Sequence, residues 1–213
     1  MVEGMEQVIG RLVADAAPVR RLRPPILRAV LWLVAVAAIA AVAILWFSNL
    51  EIFARRAEDP RLAVELAGTL LTGIAAVIAA FELSLPDRSG RWSLLPLPPL
   101  ALWIASSGYG CYRHWLRFGP EGWAIGESAH CFVFILGASV PLAISLVILL
   151  RIAHPLSPLR VAAVGGLGVA GIAAFLLQFF HPFDVTLMDL GIHAAAVAIV
   201  VAVTAAAGGR RTA

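Results

Sequence analysis

Blocks of apolar residues, each about twenty residues long, constrain this chain more than any other feature of its sequence. An α-helix needs roughly 20 such residues to cross the hydrocarbon core of a bilayer. Of the 213 residues, 61% are hydrophobic and 14% are charged, whereas soluble domains are usually about half apolar and a quarter charged. The sequence therefore predicts an integral membrane protein that has no soluble domain with its own core.

Six apolar blocks predict an all-α polytopic membrane bundle of six transmembrane helices. We expect the first block to remain as an anchor, because it is too long for the apolar region of a signal peptide. The predicted domains are a cytoplasmic amphipathic segment (1–25), a six-helix transmembrane domain (26–207) and a cytoplasmic tail (208–213). The six predicted spans cover residues 26–47, 62–85, 92–111, 130–150, 161–180 and 185–207.

The arginines predict how this bundle lies in the membrane. All sixteen basic side chains are arginine, and short cytoplasmic loops are enriched in basic residues. Both termini are therefore expected in the cytoplasm. Because the arginines flank the spans, they do not indicate a surface that binds nucleic acid. With the N-terminus inside, the inner arginines are Arg11, Arg20, Arg21, Arg23, Arg28, Arg88, Arg91, Arg151, Arg160, Arg210 and Arg211, and the outer ones are Arg55, Arg56, Arg61, Arg113 and Arg117.

A short amphipathic helix is predicted before the first span. Its apolar residues recur at the spacing of one helix face, whereas its acidic residues fall off that face. A single short helix cannot bury such a stripe, so it must lie on the membrane, pack on the bundle or dock in a partner's groove. Because the segment mixes acidic and basic residues, it is less suited to the membrane surface alone. The apolar face comprises Met5, Val8, Ile9, Leu12 and Val13.

Small residues mark one face of the predicted fifth span. Ala162, Gly166, Ala170 and Ala174 recur every four positions. Small side chains at this spacing allow a neighbouring helix to approach closely, so we expect a tight helix contact here.

Several ionisable side chains gather at the predicted outer rim of the bundle. Ionisable groups in membrane helices usually face the bundle interior or a water-filled cavity. Glu127, His130 and Cys131 are spaced to lie on one side of a helix. The whole candidate cluster comprises Cys111, His114, Glu127, His130, Cys131, His181, Asp184, Asp189 and His193.

Three interpretations of the two cysteines remain open. Cys111 and Cys131 are expected at the outer ends of consecutive antiparallel spans, where they form either a disulfide or a reversible thiol pair. Alternatively, they bind Zn or Cu together with nearby histidines, since thiolate and imidazole ligands suit both metals. In the third interpretation they are small buried side chains that only pack. No cofactor follows with certainty, and the absence of a nucleophile triad, phosphate loop or carboxylate pair predicts no enzymatic activity.

Five ordered segments resemble a known family. They are VRRLRPP (19–25), LLPLPPLALW (94–103), GYGCYRHWLRFGP (108–120), ESAHCFVF (127–134) and LQFFHPFDVTLMDLGIH (177–193). Together they resemble the negative regulator of sigma F family, which are membrane anti-sigma factors of proteobacteria. The resemblance covers nearly the whole chain and implies six spans with two cysteines that match Cys111 and Cys131.

The resemblance also implies a function. Members of this family hold an extracytoplasmic-function sigma factor inactive at the inner membrane until oxidant or heavy-metal stress reaches their cysteines. The expected partners are thus a sigma factor, bound by the apolar face of the N-terminal helix, and the lipid bilayer, without direct contact to nucleic acid. Two alternatives are a redox membrane protein that binds a metal or cofactor, and a small transporter with Glu65, Glu82, Asp189 and His193 along a polar path.

Overall fold

The computed structural model describes residues 2–15, 22–119, 125–180 and 187–209. These ranges form eight α-helices and one short 3-10 helix, and no residue in them forms a strand. The α-helices are α1 (Val2–Ala14), α2 (Pro25–Phe47), α3 (Leu50–Arg56), α4 (Pro60–Leu83), α5 (Leu97–Phe118), α6 (Ile125–Arg151), α7 (Pro158–Phe180) and α8 (Leu187–Gly209), and the 3-10 helix is Gly90–Leu94.

The all-α class is confirmed, and five helices are long and apolar enough to cross a membrane. The helix α5 has the required length, but its second half carries serine, tyrosine and arginine residues and it is not one of the five. A sixth span and the cytoplasmic location of both termini therefore remain predictions. The five helical segments are Pro25–Phe47, Pro60–Leu83, His130–Arg151, Pro158–Phe180 and Leu190–Gly209.

The third predicted span is displaced along the sequence. It was expected over 92–111, whereas α5 begins at Leu97 and continues to Phe118. Prolines 98 and 99 lie in its first turn, where a missing N–H costs no helical hydrogen bond. At its other end Gly119 has a φ of +67° and a ψ of −165°, a backbone conformation that only glycine adopts readily, and the helix ends there. Cys111 consequently lies inside a helix, about two turns before its end.

The short helix α3 was not predicted. Asn49 caps its start, where the side-chain oxygen accepts a hydrogen bond from the backbone N–H of Ile52 at 3.1 Å. Phe53 stacks on Phe179 of α7 with ring centroids 4.4 Å apart. Arg56 donates to the backbone carbonyl of Gln178 at 3.0 Å and to its side-chain oxygen at 3.2 Å. Through these contacts α3, which connects α2 to α4, packs on the end of α7.

The helices α4 and α7 form the centre of the bundle, and their backbones touch. A Cβ atom added to Gly171 would lie 2.9 Å from the backbone nitrogen of Gly73. One added to Gly168 would lie 3.0 Å from the backbone nitrogen of Val77. Because backbone atoms cannot move aside as a flexible side chain can, only glycine fits at these crossing points.

The small-residue face predicted on the fifth span is confirmed as a contact surface of α7. Ala162, Ala170 and Ala174 are buried, and a Cβ atom added to Gly166 would lie 3.0 Å from the Cα atom of Val201 in α8. Toward its start, α7 packs Ala162 against Gly208. The pair α4–α7 is thus extended by α8 into a layer of three closely packed helices.

The other helices surround this layer. The helix α2 packs on α4 and α7, α5 packs on α4 and α8, and α6 packs on α7 and α8. We call the end where α2 begins and α4, α6 and α8 finish the proximal end, since α1 precedes α2 in the chain. The opposite end, where α5 finishes and α6 and α8 begin, is the distal end.

Arg28 connects three helices at the proximal end. From the first turn of α2 it donates a hydrogen bond to the backbone carbonyl of Leu149 in α6. Its guanidinium lies over the ring of Phe81 in α4, with 5.1 Å between the guanidinium carbon and the ring centroid. The neighbouring Glu82 is buried and forms an ion pair with Arg88 at 3.2 Å. The start of α2 is therefore held by α4 and α6 together.

Replacing Gly171 by alanine should destabilise the bundle. The added methyl group would force the α4 and α7 backbones apart, and overpacking of this kind costs about 1–3 kcal/mol. We expect a lower melting temperature of the purified protein in detergent, measured by tryptophan fluorescence. Gly137→Ala is the control, because no atom lies within 4 Å of its added Cβ. Equal melting temperatures for both variants would contradict the close contact of α4 and α7.

Candidate functional site

The apolar face of α1 is exposed. Its five residues form one helical stripe, as the sequence predicts, and each is more than half exposed. The exposed fractions are 62% for Met5, 55% for Val8, 53% for Ile9, 66% for Leu12 and 69% for Val13. Monomeric soluble surfaces rarely leave such a patch uncovered, and a patch of this kind usually marks an interaction site.

Both cysteines are buried in the distal half of the bundle. Cys111 and Cys131 are each 1% exposed. Cys131 packs in a cluster with Ile135, Ala173, Leu177 and Ala196 and so touches both α7 and α8. Among the described residues, α5 and α6, which carry the cysteines, both pack on α8.

A line of polar side chains connects α4 to the neighbourhood of Cys111. Glu65 is buried, and a Cβ atom added to Gly110 would lie 3.7 Å from its Oε1 atom. Thr69 donates to the backbone carbonyl of Glu65 at 2.9 Å. The guanidinium of Arg61 lies over the ring of Tyr109, 5.6 Å from the centroid. The first turns of α4 are thereby joined to the residues that directly precede Cys111.

A cavity of about 280 Å³ lies between α4, α5, α7 and α8. Most of its wall is apolar, and four polar side chains border it: Thr69, Ser107, Gln178 and His193. Ser107 lies one helical turn before Cys111, and the wall residue Leu177 also packs on Cys131. The cavity therefore adjoins the surroundings of both cysteines.

The structure describes only part of the predicted polar cluster. His193 borders the cavity and His130 is exposed. His181 and Asp184 lie outside the described residues, and the side chains of His114, Glu127 and Asp189 are likewise outside the description. Their proximity to the cysteines remains a prediction.

A metal centre is also a prediction that stays open. Among the side chains that the structure describes, no three from histidine, cysteine, aspartate and glutamate lie close enough to hold a metal ion. Several of the residues that were expected to bind the metal are not among the described side chains.

The transport path was predicted to include Glu65 and Glu82. They lie 17 residues apart in α4, which is about 25 Å along a helix. They belong to opposite ends of the bundle.

The sequence prediction missed three of the four polar side chains of the cavity. Thr69 and Ser107 were not predicted, because serine and threonine are common in membrane helices, where they hydrogen-bond to their own backbone. Their presence alone does not indicate a cavity. The spacing of four that relates Glu65 to Thr69 and Ser107 to Cys111 is the signal that indicates a shared helix face. Gln178 was visible as the only polar residue in α7 after Arg160.

The family comparison accounts for most of the chain. Residues 12–212 match the family described as negative regulator of sigma F. The chain belongs to this family. No curated protein and no solved structure matches it. The resemblance inferred from five segments is thus confirmed over nearly the whole chain.

Membership in the negative regulator of sigma F family defines the general role of the chain. The family name implies a sigma factor as its partner and a regulatory rather than an enzymatic task. The five apolar helices agree with a membrane protein. Within this family assignment, the exposed face of α1 and the buried cysteines are the two candidate functional features.

Burial predicts that the native cysteines react slowly with thiol reagents. Cys111 and Cys131 should react with a bulky maleimide only after denaturation, because the folded helices cover both sulfur atoms. Gel-shift labelling in mild detergent and in dodecyl sulfate measures the difference. As a control, Tyr112→Cys in a Cys111→Ser, Cys131→Ser background should label at once, since Tyr112 is 57% exposed. Rapid labelling of the native pair would contradict the burial.

Proposed function

We propose that this protein is a membrane anti-sigma factor that captures an extracytoplasmic-function sigma factor on the apolar face of α1. The observation that carries the proposal is the exposure of that face in a member of the negative regulator of sigma F family. An amphipathic helix that lays its apolar face into a groove is a common mode of protein recognition. A sigma factor held in this way is kept from RNA polymerase.

The charges on α1 favour a protein partner over the membrane surface. Glu6, Arg11 and Asp15 lie off the apolar face, so the polar side carries both signs. Helices that bind anionic membranes are rich in lysine and arginine on that side. A partner groove with an apolar floor and mixed charges on its rim suits α1 better.

The proposed location follows from the arginine distribution. With α1 in the cytoplasm of a bacterium, the proximal end of the bundle faces the sigma factor and the distal end faces the periplasm. Thiols can be oxidised in that compartment. In this arrangement the cysteines receive the signal from the periplasm, and α1 binds the sigma factor in the cytoplasm.

The proposed sensor is the cysteine pair at the distal end. An oxidant that takes two electrons from the two thiols would join their sulfur atoms and release two protons. A disulfide requires Cα atoms about 4.4–6.8 Å apart. Because α5 and α6 each pack against α8, joining them would change how both helices sit on it. Binding of Zn or Cu by the same thiolates, with nearby histidines, would draw the helices together in a comparable way.

The route from the distal to the proximal end runs along α4. Glu65 and Thr69 lie near α5 at the distal end, and Phe81 supports Arg28 at the proximal end. Arg28 in turn fixes the start of α2, to which α1 is connected. A coupling free energy of about 1–3 kcal/mol between the two ends would change the affinity for the sigma factor roughly 5–150-fold.

Charged substitutions on the apolar face of α1 should release the sigma factor. We expect Val8→Asp with Leu12→Asp to lower retention of the co-expressed sigma factor at least tenfold, because buried apolar anchors dominate most interfaces. Pull-down from solubilised membranes and a sigma-dependent reporter measure the loss.

The control places the same charges on the opposite face of α1. Gln7→Asp with Ala14→Asp keeps the apolar stripe and adds two carboxylates, so this variant should retain the sigma factor. Equal amounts of both variants in the membrane fraction establish that each is inserted. If the Val8 and Leu12 variant retains the sigma factor as the wild type does, α1 is not the binding surface.

Replacing the cysteines should separate sensing from binding. In Cys111→Ser, Cys131→Ser, we expect the sigma factor to remain bound while the response to oxidants and heavy metals is lost, because serine forms neither a disulfide nor a soft-metal site. A sigma-dependent reporter with and without stress measures it. An unchanged response would exclude the thiols from signalling and leave the binding role of α1 intact.

A further inference from the structure

A long apolar groove lies between α6 and α8 in the half of the bundle near the proximal end. Its volume is about 550 Å³, and aliphatic side chains form most of its wall. Val140, Ile144 and Ile148 of α6 and Val203 of α8 border it and are each more than half exposed. The groove therefore opens on the outer surface of the bundle, which in a membrane-spanning protein faces lipid.

The length of the groove corresponds to one leaflet of a bilayer. Along α6 it extends from Leu136 to Arg151, and fifteen residues of α-helix measure about 22 Å. A bilayer with its headgroup regions is roughly 40–45 Å thick, so one leaflet occupies about 20–22 Å. An acyl chain that enters at Arg151 would thus end near the membrane midplane.

The proximal end of the groove is positively charged. Arg151 lines it and donates a hydrogen bond to the backbone carbonyl of Ala207, the last residue of α8 that borders the groove. A guanidinium has five N–H donors in a fixed plane and can hold a carbonyl and a phosphate together. Among the described residues, no acidic side chain borders the groove.

We propose that this groove binds one anionic phospholipid, with a phosphate on Arg151 and an acyl chain between α6 and α8. Basic pockets between transmembrane helices on the cytoplasmic side are a recurrent type of site for anionic headgroups. The site lies away from the distal cavity, which is formed by α4, α5, α7 and α8. Lipid binding here is independent of sigma binding by α1.

Native mass spectrometry of the full-length protein with phosphatidylglycerol or phosphatidylcholine tests the proposal. We expect a single phosphatidylglycerol to be retained about tenfold better than phosphatidylcholine. Arg151→Gln should remove most of this preference, and Arg151→Lys should restore part of it, because lysine keeps the charge without the planar fork. Arg160→Gln is the matched control, since Arg160 is exposed at the same end and does not border the groove.

A second variant tests the apolar part of the site. Ala143→Leu fills the groove and should weaken the binding of both lipids several-fold, whereas Ala101→Leu on the exposed face of α5 should not. Because Ala143→Leu leaves Arg151 in place, it keeps the test decisive if Arg151→Gln does not fold.

Three results would overturn the proposal. Equal retention of the two lipids would exclude a site for the anionic headgroup. Displacement of the lipid by millimolar inorganic phosphate would assign Arg151 to a free anion, because phosphate without acyl chains should not compete. A dimer that forms in place of the lipid complex, and that Ala143→Leu abolishes, would assign the groove to a second copy of the chain.

Discussion

The backbone contact between α4 and α7 is the constraint on which the rest of the bundle depends. Gly73, Gly168 and Gly171 remove the side chains at the crossing, so the two helices approach as closely as their main chains allow. In a membrane there is no strong hydrophobic force between apolar helices, and close van der Waals packing takes its place. The helices α2, α5 and α6 pack on α4, α7 or α8, so the surroundings of both cysteines depend on this centre.

The two ends of the bundle have different chemical characters. At the distal end, two thiols and a glutamate are buried beside a cavity. At the proximal end, the carboxylate of Glu82 is buried and pairs with Arg88, and Arg28 donates to a backbone carbonyl of α6. The same central helices pass through both regions: α4 carries Glu65 at one end and Glu82 at the other, and α7 carries Gln178 at one end and Ala162 at the other. The same two central helices thus contact both groups of polar side chains.

The sequence predicted the fold class and the apolar face of α1 more completely than it predicted the surroundings of the two cysteines. Apolar block length predicted six spans, of which five correspond to long apolar helices, and the spacing of Met5, Val8, Ile9, Leu12 and Val13 predicted the face of α1. Both are local properties, because they depend on residues a few positions apart. The small-residue face of α7 was also found, since its period of four is visible in one helix.

The features that the sequence did not predict depend on contacts between distant segments. Arg28 was assigned to membrane orientation, but its ring partner lies 53 positions later at Phe81 and its carbonyl partner 121 positions later at Leu149. The start of α5 was misplaced because Trp92, Leu94 and Leu95 extend the apolar block upstream of the prolines at 96, 98 and 99. The cavity needs four helices, and no single-helix pattern contains it.

The position of Arg28 has a thermodynamic consequence. One guanidinium joins the first turn of α2 to both α4 and α6, so the start of α2 is held by two neighbouring helices. Linkage between two binding equilibria is reciprocal. If oxidation of the distal thiols lowers the affinity of α1 for the sigma factor, then a bound sigma factor must make those thiols harder to oxidise. The protein with bound sigma factor would then need a higher oxidant concentration before its cysteines react. This concentration would rise with the amount of sigma factor in the cell.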